Sequence, residues 1–341
     1  MKKVSSSSLS SNTNSINCSN FDDIHKTLYH IKIVWLCPRT YFRDTFELNT
    51  TTKTRSGLLD YINVLKPRET SLLVYIGVCT SIIAAGSIKG GFRISDILLT
   101  LIALTLGSAG VNGLTNYLDR DVDARMKRTC GRALPSRLIE PAHKVIPLIV
   151  ILIVAGLVLA WIIYPVCFLI GLIGIIASGA WRKTISCTYL GIIAGSAPVL
   201  IGWYAITKQP VIDIQAILFF CLIAFWTPLH VWTVMLANRL DYESAGLKYF
   251  PLSWKDKDVI RLLSVLSLAL FVISLLVYFL TGLFGWMYLV VAVLMGILMI
   301  YANIRLMISP TSKNSWRVYK LSAFPYLGII FTVMAIDIWL K

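Results

Sequence analysis

Charge is scarce in this chain. Asp, Glu, Lys and Arg make up 14% of 341 residues, against 57% hydrophobic residues, far from the composition of soluble domains. That balance excludes an ordinary soluble protein, because the apolar residues come in unbroken runs of span length instead of one-sided stripes. Acids are the rarer sign, 17 against 32 Lys and Arg. The seven cysteines, at 18, 37, 79, 130, 167, 187 and 221, form no C-x-x-C pair, so neither a zinc site nor a disulfide framework is expected. An early apolar core followed by a small-residue cleavage site is also missing, which argues against a cleaved signal peptide.

What is present is an all-α polytopic membrane protein. Runs at 70–88, 96–118, 145–163, 165–181, 188–206, 213–237, 259–280, 283–304 and 320–339 each approach the ~20 residues that cross ~30 Å of hydrocarbon. About nine transmembrane helices are expected, the fourth the shortest. The loops after the even-numbered spans carry eighteen Lys or Arg, and the opposite loops carry Lys89, Arg93 and Lys208. By the positive-inside rule the rich side, with the N-terminus, is cytoplasmic, and Lys341 lies outside. In a prokaryote this is the cytoplasmic membrane. The net charge of +15 is then a matter of topology, and no nucleic-acid partner is expected, because the cations sit in short loops beside spans. Residues 1–56 differ: Ser and Asn dominate 5–20, and the stretch reads as a disordered or loosely ordered N-terminal extension to a transmembrane domain at 57–341.

The scarce acids cluster. Thr115-Asn116-Tyr117-Leu118-Asp119-Arg120-Asp121-Val122-Asp123 ends the second apolar run. If the helix continues, Asp119 and Asp123, spaced i,i+4, share a face. Two charges ~6 Å apart at an effective dielectric near 20 repel by about 3 kcal/mol, which a shared divalent cation would turn into attraction. Arg125, Lys127, Arg128, Arg132 and Arg137 follow, a cation density suited to phosphate oxygens. Acids for Mg2+ and bases for phosphate point to a diphosphate substrate.

Polar chemistry closes the sixth span as well. Phe225-Trp226-Thr227-Pro228-Leu229-His230-Val231-Trp232 runs on to Asn238-Arg239-Leu240-Asp241-Tyr242-Glu243-Ser244-Ala245-Gly246. On a continuing helix Asp241 and Glu243 would diverge by about 200°, so only one could join a shared metal site, and Asp241 is nearer the helix end. Pro228 permits a kink. Gly191 and Gly195 form a G-x-x-x-G that allows close helix approach.

The Asn116–Asp123 motif with Met126-Lys127-Arg128-Thr129 resembles the first Asp-rich motif of UbiA-type intramembrane prenyltransferases. Trp226–Trp232 followed by Asp241-Tyr242 and Ala245-Gly246 is similar, within them, to the protoheme IX farnesyltransferase (heme O synthase) family. Leu65-Lys66-Pro67-Arg68 and Lys320-Leu321-Ser322 fit the same pattern, and the resemblance spans 65–341. It implies a UbiA-like prenyltransferase bundle that moves a farnesyl group from farnesyl diphosphate to a vinyl carbon of protoheme IX, water supplying the resulting hydroxyl. It implies Mg2+ held by Asp119, Asp123 and Asp241, with Asn116, Arg125, Lys127, Arg128, Arg132, His230, Arg239, Tyr242 and Lys320 binding substrate. Tyr117, Trp226, Trp232 or Tyr242 would stabilise the allylic cation through a ring face. Both substrates partition into the lipid bilayer, and the product would pass to downstream heme-modifying or oxidase-assembly proteins.

The chain departs from the family pattern at Thr115, Gly131, Ala133, Leu229, Leu240 and Tyr249. This leaves open a prenyltransferase that uses a quinone precursor or another lipophilic acceptor. His230 can serve heme or be satisfied by a neighbouring helix, and Lys320 can bind substrate or mark the membrane boundary. A noncatalytic heme-binding assembly protein would need His230 but no diphosphate site. A transporter would bury ionisable residues at mid-span, whereas these lie at helix ends.

Overall fold

The computed structural model describes residues 57–88, 91–180, 182 and 184–341; the N-terminal extension read from the sequence lies outside them. Among the described residues the regular secondary structure is all helical, because a bilayer offers the backbone no partners and a helix satisfies its own. In chain order the helices are α1 (Leu58–Val64), α2 (Pro67–Ser87), α3 (Ile94–Asp123), a 3-10 turn (Ala142–Val145), α4 (Ile146–Ile163), α5 (Pro165–Gly179), α6 (Ser186–Thr207) and α7 (Ile214–Ala237). There follow α8 (Arg239–Ser244), α9 (Asp256–Thr281), α10 (Trp286–Ile308), α11 (Ser312–Ser322) and α12 (Phe324–Leu340). Eight stretches are long and apolar enough to cross a membrane, and Pro165–Gly179 is a shorter apolar helix, in keeping with the short fourth span.

Boundaries carry the informative differences. α3 does not stop with its apolar run but continues through Asp123, so the acidic motif is helical. α7 breaks at Asn238, and the second motif occupies the separate helix α8. Pro228 lies inside an uninterrupted α7. The last expected span divides at Ala323, leaving Lys320 on the amphipathic α11. Among the described residues Cys79, Cys167, Cys187 and Cys221 are free thiols.

Neighbours in sequence pack as neighbours in space. α3 lies on α4, α5 on α6, α6 on α7, and α7 on α9, while α2 packs on α3, α6 and α12. Without a hydrophobic force between helices in lipid, close approach depends on small residues. A Cβ at Gly202 would collide with the Gly77 carbonyl oxygen, so α2 and α6 meet backbone to backbone there. The Gly191/Gly195 pair does not play that part: a Cβ at Gly195 would meet Ile223 at 3.4 Å, and one at Gly191 would meet Thr227 at 3.7 Å, ordinary contacts. Exposed residues such as Ile151, Val154 and Val158 on α4 face outward as lipid-facing side chains do.

Candidate functional site

Asn116, Asp119 and Asp123 lie on one face of α3, and all are buried, at 3%, 4% and 1% exposure. Spacings of three and four residues align them on a helix, and the end of α3 puts them where three other segments converge. After Asp123 the chain turns back over the helix end, with the Thr129 hydroxyl donating to the Asp123 carbonyl at 2.9 Å. That turn brings Arg132 round, and its Nη1 donates to Asp123 Oδ2 at 2.7 Å. From the turn between α5 and α6, Arg182 grips Asp119 with two donors, Nε to Oδ1 at 3.2 Å and Nη2 to Oδ2. The repulsion expected between the two aspartates is relieved by giving each its own arginine.

Lys66 completes the cluster from α2. It caps that helix in the left-handed conformation, φ 49°, ahead of Pro67, and its Nζ donates to Thr115 Oγ1 at 3.0 Å. Burial, with Arg132 and Arg182 against it and Asp119 and Asp123 for it, lowers its pKa to about 8. Thr115, a departure from the family pattern, is thus the residue that holds this lysine.

The second motif supports the first without merging with it. Asp241 accepts from the backbone N–H of Lys127 at 2.6 Å and of Arg128 at 3.1 Å, and Arg128 Nη2 donates to the Tyr242 hydroxyl at 3.2 Å. Among the described residues no three His, Cys, Asp or Glu side chains come together in a group able to hold a metal. Asp241 therefore grips the cation-rich turn, apart from the other two carboxylates. Gly246 takes φ +83°, a left-handed conformation that favours glycine, so this glycine serves the backbone turn after α8. Leu240, the position of an Asp in the family, is 81% exposed; an acid there would face away from the site. Tyr249, another departure, lies within electrostatic reach of Asp119, Arg182 and Cys187.

Other expected residues lie elsewhere. Arg239 donates to the Leu252 and Trp254 carbonyls and pairs with Asp256, tying a loop together. Lys320 and the Lys127 side chain are exposed. Tyr117 lies under the Arg120 guanidinium, 4.4 Å from its centroid, and Trp232 donates to Thr188 and packs edge-on against Phe250. His230 stands in an aromatic stack, its ring 4.7 Å from that of Trp226 and 4.5 Å from that of Tyr319. Arg128, Glu69 and Tyr242 lie within electrostatic reach of Tyr319, which places this stack beside the charged cluster.

A cavity of about 220 Å³ runs into the bundle between α2, α3, α4, α5 and α6. Its wall includes Asn112 and Thr115 of α3 and Ser178 of α5, so it reaches the level of the charged cluster, and small residues such as Gly107, Gly156 and Ala194 keep it open. Asn116 donates through Nδ2 to the Val64 carbonyl at 2.7 Å, but its Oδ1 is buried without a partner. One unpaired amide oxygen and two carboxylates on one helix face are the hard oxygen donors that suit Mg2+; the residues fit that ion.

Reading the sequence alone misses Arg182, Lys66 and Tyr319 as site residues. The first is visible only as a loop cation and the second only as part of Lys66-Pro67-Arg68; no pattern in the chain couples either to Asp119 or Thr115.

Residues 74–326 match the UbiA prenyltransferase family. A protoheme IX farnesyltransferase 1 of Picrophilus torridus is 35% identical over 282 residues, covering 81% of this chain and 93% of its own. A protoheme IX farnesyltransferase of Desulforudis audaxviator is 29% identical over 289 residues, covering 82% and 89%. Among solved structures, one concerning digeranylgeranylglyceryl phosphate synthase aligns with a TM-score of 0.67 at 17% identity, covering 83% of this chain and 99% of that one. A UbiA homologue from Archaeoglobus fulgidus bound to GPP and Mg2+ aligns with a TM-score of 0.57 at 14% identity, covering 81% and 99%.

Proposed function

Since the chain belongs to the UbiA prenyltransferase family and is a multi-pass membrane prenyltransferase, we propose that it transfers a farnesyl group from farnesyl diphosphate to a vinyl group of protoheme IX. The observation that carries this reading is the junction at Thr115, where an apolar cavity meets a buried set of paired acids and bases. An isoprenoid diphosphate has the same two halves.

Asn116, Asp119 and Asp123 would hold Mg2+, which supplies positive charge to the diphosphate as it leaves. Arg132 and Arg182 are already in place beside those carboxylates and would exchange part of their pairing for phosphate oxygens, planar forks being well matched to them. Lys66 at the head of α2 and Arg125 and Arg128 on the turn after α3 would add donors for the negative charge that grows as the carbon–oxygen bond breaks. The cavity takes the isoprenoid tail and keeps water from it. Trp226, Tyr242 and Tyr319 offer ring faces to the allylic cation, worth ~2 kcal/mol or more in a desolvated site. His230 and its stacked neighbours form the wall for the flat acceptor, and water closes the reaction by supplying the hydroxyl.

The test is to incubate purified protein in detergent with heme, farnesyl diphosphate and Mg2+, with and without chelator, and to seek hydroxyethylfarnesyl heme by mass spectrometry. Chelator-sensitive product is expected. Consumption of farnesyl diphosphate without that product would replace protoheme IX with another lipophilic acceptor, and Tyr249 would be the first residue to examine.

A further inference from the structure

Ser322, the last residue of α11, has one hydroxyl hydrogen and two partners for its oxygen. Oγ donates to the Tyr319 carbonyl at 2.9 Å and lies 3.0 Å from His230 Nδ1. The residue is fully buried, at 0% exposure, so solvent does not compete. Its carbonyl is engaged too, accepting from Trp226 Nε1. Both polar groups of Ser322 are thus committed to α7, on either side of one helical turn.

The proton count follows from this. With the hydroxyl hydrogen directed back to Tyr319, the remaining lone pair of Oγ meets Nδ1, and Nδ1 must carry a hydrogen to make the contact favourable. Neutral imidazole has a single N–H, so Nε2 is left with its lone pair, and it has no protein partner among the described residues. Trp226 and Tyr319 cover the two faces of the ring at interplanar angles of 15° and 27°. What remains available is the ring edge that carries Nε2. A histidine held through one nitrogen and offering the other is the arrangement that metal-binding imidazoles share.

We propose that Ser322 is a positioning residue that holds His230 as the Nδ1–H tautomer, so that Nε2 is presented as a neutral ligand to the metal of a metalloporphyrin acceptor. The inference rests on the acceptor reading above and adds to it a residue and a bonding mode. Ser322 touches no substrate; it acts through His230.

The experiment uses the full chain in detergent, titrated with hemin and, in parallel, with metal-free protoporphyrin IX, each followed by the Soret band. Ser322→Ala weakens hemin binding about 10- to 100-fold, the usual loss when the partner of a ligating histidine is removed. It leaves the affinity for metal-free protoporphyrin IX within about 2-fold and the KM for farnesyl diphosphate unchanged, while Ser322→Thr restores hemin binding. Wild-type hemin affinity in Ser322→Ala, or an equal loss for both porphyrins, overturns the proposal and leaves the acceptor reading standing. Absence of hemin binding by the wild-type protein overturns both. Should Ser322→Ala not give a monodisperse protein, Ser322→Cys, of similar volume and weaker hydrogen bonding, carries the same comparison.

Discussion

Asp119 and Arg182, 63 residues apart in sequence, are joined by a two-donor ion pair, and Arg182 also donates to the carbonyl of Ser178, which lines the cavity. The carboxylate is 5% exposed and the guanidinium 24%, so the pair is largely withdrawn from water and removal of either side leaves charge that the site must absorb. Arg182→Ala is expected to lower kcat/KM for farnesyl diphosphate by about 10²- to 10³-fold, the loss typical of one positioned donor at a developing anion. Arg182→Lys, with one point of contact instead of a fork, recovers only part of it. Steady-state kinetics against farnesyl diphosphate give the comparison.

Asp119→Asn and Asp123→Asn remove the charge and keep the shape. Each is expected to abolish turnover while the protein still inserts and elutes as a single species in detergent. Retained turnover in either variant would refute its place in the cation site.

The lysine at the head of α2 predicts a pH dependence with a definite sign. Burial holds Lys66 at about 8, below its ordinary 10.5, so its charge is lost as pH rises through about 8. Anion binding weakens in the same direction, and the KM for farnesyl diphosphate should rise above that pH. Between about 8 and 10.5 the unfolded chain binds this proton more tightly than the folded one, so the linked contribution to stability increases with pH. Lys66→Arg, charged throughout, should flatten the KM profile; an unchanged profile would remove Lys66 from the diphosphate site.

Ala194 lines the cavity, and a larger side chain there shortens the space for an isoprenoid tail. Ala194→Phe is expected to reduce kcat/KM for farnesyl diphosphate at least about 10-fold relative to geranyl diphosphate, in line with the ~0.8 kcal/mol that each buried methylene carries. Product analysis with the two diphosphates in competition measures the ratio.

At the crossing of α2 and α6, Gly202→Ala would drive a methyl group into the Gly77 carbonyl. Overpacking of this kind costs about 1–3 kcal/mol or more, to be seen as a lower thermal midpoint in detergent. Gly195→Ala, where the added carbon meets its nearest neighbour at 3.4 Å, should be tolerated far better.

What was legible in the sequence was what short-range geometry governs. A run of apolar residues must be helical in lipid, and its length declares a span. On such a helix the intervals between Asn116, Asp119 and Asp123 put them on one face whatever surrounds them. Tertiary structure decided which residues meet them. Arg182 and Lys66 reach Asp119 and Thr115 because α2, α3 and α5 end at the same level of the bundle. Asp241 binds the 127–128 backbone because α7 breaks at Asn238 and α8 turns it inward. Gly77 and Gly202, not Gly191 and Gly195, mark a backbone-to-backbone helix crossing. The reason is physical: in lipid a helix face turned to a neighbour and one turned to the bilayer are both apolar, so the chain carries little pattern that says which helices touch. The partners of a buried charge are then set by packing alone.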